Sequence, residues 1–64
     1  MKNNIRELRK QFGFRQEDIA TTLGVTRQTI NAIENEKYNP TLELAMKLAK
    51  LLNTTVDELF ILNS

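Results

Sequence analysis

Four residues near the middle of the chain have side chains suited to the edge of a nucleic-acid base. If Ile30 and Ile33 point inward on a helix beginning at Arg27, then Arg27, Gln28, Asn31 and Ala32 point outward at its start. Arginine can bond bidentately to guanine O6 and N7, and glutamine or asparagine to adenine N6 and N7. Alanine can touch the methyl of thymine. Thr26 and Thr29 add hydroxyls, and the start of the helix adds free N–H groups, all suited to a phosphate. No acidic residue interrupts this stretch before Glu34. A face selected for solubility alone would usually carry Glu or Lys somewhere along it, although Gln, Asn and Thr are also ordinary surface residues.

Other chemistry is excluded by composition. The 64 residues contain no His and no Cys, which removes the common structural zinc sites, the Ser-His-Asp and Cys-His constellations and disulfide staples. Glu34 and Glu36 are two apart and do not face each other on a helix. No catalytic residue, metal site, cofactor or small-molecule effector site is expected. Apolar residues make up 41% and charged residues 27%, the balance of a globular domain. At this length the chain, residues 1–64, is read as one small domain with a thin core. No apolar run is long enough to span a membrane, and the polar N-terminus has no apolar leader segment, so a cytoplasmic protein is expected. The net charge is only +1, but residues 1–15 hold Lys2, Arg6, Arg9, Lys10 and Arg15 against Glu7 alone. A basic surface on a nearly neutral protein suits phosphate contact on one face.

The elements that would position these residues are short helices. Ile5, Leu8 and Phe12 make the apolar stripe of a helix over 4–12, with Asn3 or Asn4 at its start and Gly13 as its stop. Ile19, Ala20 and Leu23 give a second helix over 16–23, ended by Gly24. Ile30 and Ile33 give a third over 27–35, capped by Thr26. After Pro40, Thr41 caps a fourth over 42–52, with Leu44, Ala45, Leu48, Leu51 and Leu52 inward. Thr55 and Glu58 have capping-box spacing before a last short helix containing Val56, Leu59 and Phe60. The pattern predicts an all-α fold. Small Ala20, the Gly24 turn and apolar Val25 predict a close helix-turn-helix corner over 16–35.

The stretches RQEDIA at 15–20, LGVTRQTINAIEN at 23–35, YNPTLELAMKLAKLL at 38–52 and TTVDELF at 54–60 resemble the Cro/C1-type helix-turn-helix family, also called the XRE family. The resemblance spans residues 5–60. It implies a compact five-helix, lambda-repressor-like DNA-binding domain of a small transcriptional regulator, more often a repressor than an activator. It also implies roles residue by residue. Arg27 and Gln28, then Asn31 and Ala32, correspond to base-reading positions. Gln16 corresponds to a phosphate contact that also braces the first side chain of the recognition helix. Asn35 and Lys37 correspond to phosphate contacts, and Arg9 with Glu34 to an ion pair joining the first and third helices. The implied partner is double-stranded DNA, as a palindromic operator. The alternative use of such a fold is a protein-interaction module, for instance an antitoxin-like or anti-regulator partner, which would co-purify with another protein instead of binding DNA in a salt-dependent way.

Two positions depart from the family pattern. Arg15 stands where Ser or Thr usually caps the second helix, and its side chain cannot accept from the free N–H groups. Arg15 could instead add a phosphate contact. Glu36 replaces the usual glycine after the third helix and is strained if its φ is positive. At the C-terminus Leu59, Phe60, Ile61 and Leu62 are consecutively apolar. If Leu59 faces inward on a helix, Phe60, Ile61 and Leu62 cannot all follow it, and this surface is expected to join two copies as a homodimer, the alternative being a tail folded back over its own thin core.

Overall fold

A computed structural model of the chain describes residues 1–62. Five helices run in order: α1 (Ile5–Gln11), α2 (Gln16–Leu23), α3 (Arg27–Glu34), α4 (Leu42–Leu51) and α5 (Val56–Leu59). A two-residue strand, β1 (Lys2–Asn3), precedes them and another, β2 (Phe60–Ile61), follows.

The helices begin as their cap residues dictate. Thr26, Thr41 and Thr55 each accept, through the side-chain oxygen, the N–H three residues on, at Thr29, Leu44 and Glu58. At α1 the Asn3 side-chain oxygen accepts the Ile5 N–H. Arg15 makes no side-chain cap bond. Asp18 compensates from the other direction: its Oδ2 accepts the Arg15 backbone N–H at 2.8 Å, which preserves one half of a capping box.

The first four helices stop by one common device. A residue of positive φ follows each: Gly13 (74°), Gly24 (72°), Glu36 (63°) and Asn53 (55°). The next N–H then reaches back five residues, from Phe14 to the Arg9 carbonyl, Val25 to Ala20, Lys37 to Ala32 and Thr54 to Ala49. These are Schellman closures, which satisfy carbonyls that helix ends leave free. Glycine takes the left-handed backbone without penalty at two of them, whereas Glu36 carries the strain of a Cβ there.

Ile5, Ile19, Ile30, Ile33, Leu48, Leu52 and Leu59 are almost wholly buried, with Ala20, Ala45, Ala49 and Phe60 filling between them. Leu8, Phe14, Leu23, Val25, Leu44, Leu51 and Val56 pack around this centre. Phe12 corrects the expected α1 stripe. It lies one residue past the helix, is 47% exposed, and stacks on Phe14 with ring centroids 5.8 Å apart.

The tail is the main correction. The last helix ends at Leu59, and Phe60 turns to extended backbone at φ −110°, ψ 135°. β2 pairs antiparallel with β1, Asn3 opposite Phe60 and Lys2 opposite Ile61. The Asn4 N–H bonds the Leu59 carbonyl at 2.9 Å and extends the seam. A strand turns successive side chains to opposite faces. Phe60 therefore enters the core, 9% exposed, and Ile61 points out, 42% exposed. The all-α architecture gains one small strand pair, and Phe60 leaves the set of exposed tail residues.

Candidate nucleic-acid interface

The α2–α3 corner closes because little stands between the two helices. Ala20 is buried with no side chain beyond its Cβ, Gly24 turns the chain, and Val25 is half-buried in the angle. Ile30 and Ile33, each 1% exposed, fix the rotation of α3. Arg27, Gln28 and Asn31 are consequently exposed and line one open hollow of ≈ 380 Å³. Ala32 is half-buried beside them. At the helix start the Thr26 and Thr29 hydroxyls are 3.0 Å apart. Whichever donates to the other, one hydroxyl proton remains for an outside acceptor such as a phosphate oxygen. The first backbone N–H groups of α3 point the same way.

Behind this face lies a buried carboxylate. The Glu34 side chain is fully buried, and Arg9 Nε stands 2.8 Å from its Oε2. Arg9 Nη2 donates to Oε1 at 3.2 Å, and a third Arg9 bond goes to the Phe14 carbonyl. The α1–α3 pair is larger than the sequence reading had it. Arg6 Nε also approaches Oε1, at 3.4 Å, and Gln16 Nε2 donates to it at 3.2 Å. Burial by itself would push the Glu34 carboxyl up. The bonds from Arg9 and Gln16, the Arg9 charge and the Arg6 bond outweigh it and hold the group below the ordinary carboxylate range. Arg6 was missed in the sequence, although its position three before Arg9 puts both on one side of α1.

The candidate phosphate residues fall into two groups. Lys37 is exposed just past α3. Arg15, Arg27 and Arg9 line a cleft with Gln16 and Glu17 between the starts of α2 and α3. Arg15 there already has a partner, its Nε lying 3.4 Å from Asp18 Oδ2. The backbone N–H of Arg15, followed by its side chain, holds the Asp18 carboxyl below its usual range. Asn35 and Gln16 are occupied within the protein. Asn35 accepts from Arg6 Nη2 at 3.0 Å and donates to Asn31 at 3.1 Å. Gln16 donates to Asn31 at 3.2 Å, so the side chain it braces is Asn31 and not the first residue of α3.

At the other candidate surface Ile61 and Leu62 are exposed, at 42% and 78%, and Leu42 adds 72%; Met46, one turn further along α4, is 53% exposed. Met1, Val56 and Phe60 border both of the apolar hollows found here, one reaching Ile61 and Leu62 and the other Leu42. The sequence pattern did not single out Leu42 or Met46, because a helix-capping turn and an amphipathic helix tolerate such residues without comment. Among the described residues no group of three or more His, Cys, Asp or Glu side chains is placed to hold a metal. No described helix is long and apolar enough to cross a membrane.

The sequence model of the helix-turn-helix family matches residues 5–59. An uncharacterized HTH-type transcriptional regulator of Archaeoglobus fulgidus is 46% identical over 61 residues, 95% of this chain and 87% of its own. The uncharacterized HTH-type transcriptional regulator YgzD of Bacillus subtilis is 47% identical over 60 residues, covering 94% of this chain and 91% of its own. Among solved structures, the restriction-modification controller protein C.AhdI from Aeromonas hydrophila superposes with a TM-score of 0.78 at 36% identity. That match covers 88% of this chain and 85% of C.AhdI. The hypothetical transcription factor NHTF from Neisseria gives 0.80 at 29% identity, covering 91% of this chain and 67% of its own.

Proposed function

The chain belongs to the helix-turn-helix family of transcriptional regulators, which bind DNA and are not enzymes, and on that premise we propose that it is a sequence-specific repressor acting as a homodimer on a palindromic operator. The observation that carries the reading is the exposed face of α3, where Arg27, Gln28 and Asn31 share one hollow free of acidic side chains. In this reading α3 enters the major groove and α2 crosses the backbone. Arg27 and Gln28 supply most of the base contacts, with Ala32 against a thymine methyl. Thr26 or Thr29, Lys37, Arg15 and the α3 N-terminus hold phosphates.

The homodimer is supported by the apolar surface where the two ends of the chain meet. Ile61, Leu62 and Leu42 lie exposed around it, and burial against a twin yields roughly 25 cal/mol per Å². A two-fold pair would set two copies of α3 about 34–36 Å apart, in successive major grooves. The test is the double substitution Ile61→Ser with Leu62→Ser, followed by analytical ultracentrifugation and by titration of a palindromic duplex and a single half-site. The expected result is weaker self-association and loss of the palindrome's advantage, with half-site binding intact. A wild-type protein that stays monomeric and binds palindromes no better than half-sites would defeat the dimer. One that does not distinguish its selected duplex from a scrambled one would defeat the regulator reading itself.

A further inference from the structure

Two charged groups fix the direction of the amides around Asn31. The Glu34 carboxylate can only accept, so the Gln16 atom 3.2 Å from its Oε1 is Nε2. The same Nε2 lies 3.2 Å from Asn31, whose facing atom must then be the acceptor, Oδ1. From the other side, the Arg6 guanidinium can only donate, so the Asn35 atom 3.0 Å from its Nη2 is Oδ1. Asn35 therefore turns its Nδ2 to Asn31, again to Oδ1, at 3.1 Å. Reasoning from a cation and reasoning from an anion arrive at one atom. Both lone pairs of Asn31 Oδ1 are engaged. Its Nδ2 has no partner among the described residues and belongs to the exposed residue that lines the hollow with Arg27 and Gln28.

We infer that Asn31 reads DNA through its NH2 group alone, as a donor, and so favours guanine, whose N7 and O6 both accept, over adenine, whose N6 donates. This rests on the DNA-binding reading above. The usual asparagine–adenine pair needs the amide oxygen to accept from N6. Here that would require Oδ1 to leave both Gln16 and Asn35. Those two are positioning residues for Asn31, and Arg6 and Glu34 set their polarity. A surface asparagine that would otherwise rotate to suit either purine is thereby biased toward guanine, because adenine offers its NH2 group N7 alone.

The experiment is selection of bound sites from random duplexes at one stated salt concentration, with circular dichroism as the fold control. It uses the wild type, Asn31→Ala, Asn31→Asp and the double variant Gln16→Ala with Asn35→Ala. Asn31→Ala identifies the position read, by abolishing a preference that in the wild type favours guanine over adenine about tenfold. Asn31→Asp keeps an oxygen for Gln16 and Asn35 and turns an acceptor outward, so the preference moves to cytosine, whose N4 donates. The double variant frees the amide and brings adenine level with guanine. Should the double variant not fold, Asn31→Asp carries the test alone. Adenine at the Asn31-dependent position in the wild type, no position sensitive to Asn31→Ala, or a preference unmoved by Asn31→Asp overturns the inference. A wild type that enriches no sequence at all overturns the DNA-binding reading beneath it instead.

Discussion

The α1–α3 junction and the seam between the chain's two ends hold the molecule together in different ways. At the junction, Glu34 is fully buried yet surrounded by donors from Arg9, Arg6 and Gln16, and the bonds have a defined direction that extends to the exposed face through Asn31. At the seam, two residue pairs of antiparallel strand and one further backbone bond join the termini, while Ile61, Leu62 and Leu42 remain exposed beside them. The polar region is complete within one chain. The apolar region leaves side chains without partners. A directional network can orient a recognition face without any partner, whereas apolar contact has no direction and is satisfied by whatever surface covers it.

The largest expected effect is at the junction. Glu34→Ala leaves Arg9 and Arg6 without their shared partner and should lower stability by about 3–5 kcal/mol. Glu17→Ala, which removes an exposed charge in the first turn of α2, should cost less than about 1 kcal/mol. Chemical denaturation of the two variants checks this, and equal losses would mean that the network contributes nothing to stability. Its pH dependence has a definite sign. The Glu34 carboxyl is held below its ordinary value, so the unfolded chain binds the proton more readily. The contribution is whole above the unfolded carboxyl's value of about 4.3 and is lost as pH falls through the lower folded value. Glu34→Gln should flatten that part of the acid limb.

The seam divides more finely. Phe60→Ala should cost about 3 kcal/mol, since the ring is buried. Ile61→Ser and Leu62→Ser should stay within about 0.5 kcal/mol each in a monomer. Thermal melts at low protein concentration distinguish them, and a large loss from Leu62→Ser would make the exposed tail part of the chain's own core.

On the proposed recognition face, Arg27→Ala and Gln28→Ala should each remove about 1–3 kcal/mol of discrimination between the selected and a scrambled duplex, with the melting temperature unchanged. Undiminished discrimination in both would take α3 out of the groove. One further effect is a gain. Glu36→Gly relieves a side chain held at φ 63° and should stabilise by about 0.5–1 kcal/mol, measurable by denaturation.

Sequence alone determined most of the helices and their ends. Helical period placed Ile19, Ile30, Ile33 and Leu48 inside, and threonine caps and positive-φ residues are local devices readable within four or five positions. The outward face of α3 followed from the same periodicity. Tertiary structure decided what local signals do not encode. A two-residue strand has no period to detect, and only the meeting of the termini made Phe60 a core residue and left Ile61 outside. Whether Arg6 joins Arg9 at Glu34, and which way Asn31 turns its amide, depended on side chains brought together from α1, α2 and α3. A hydrogen bond's direction belongs to the pair of groups that meet, and that pairing across the chain exists only once the helices have packed.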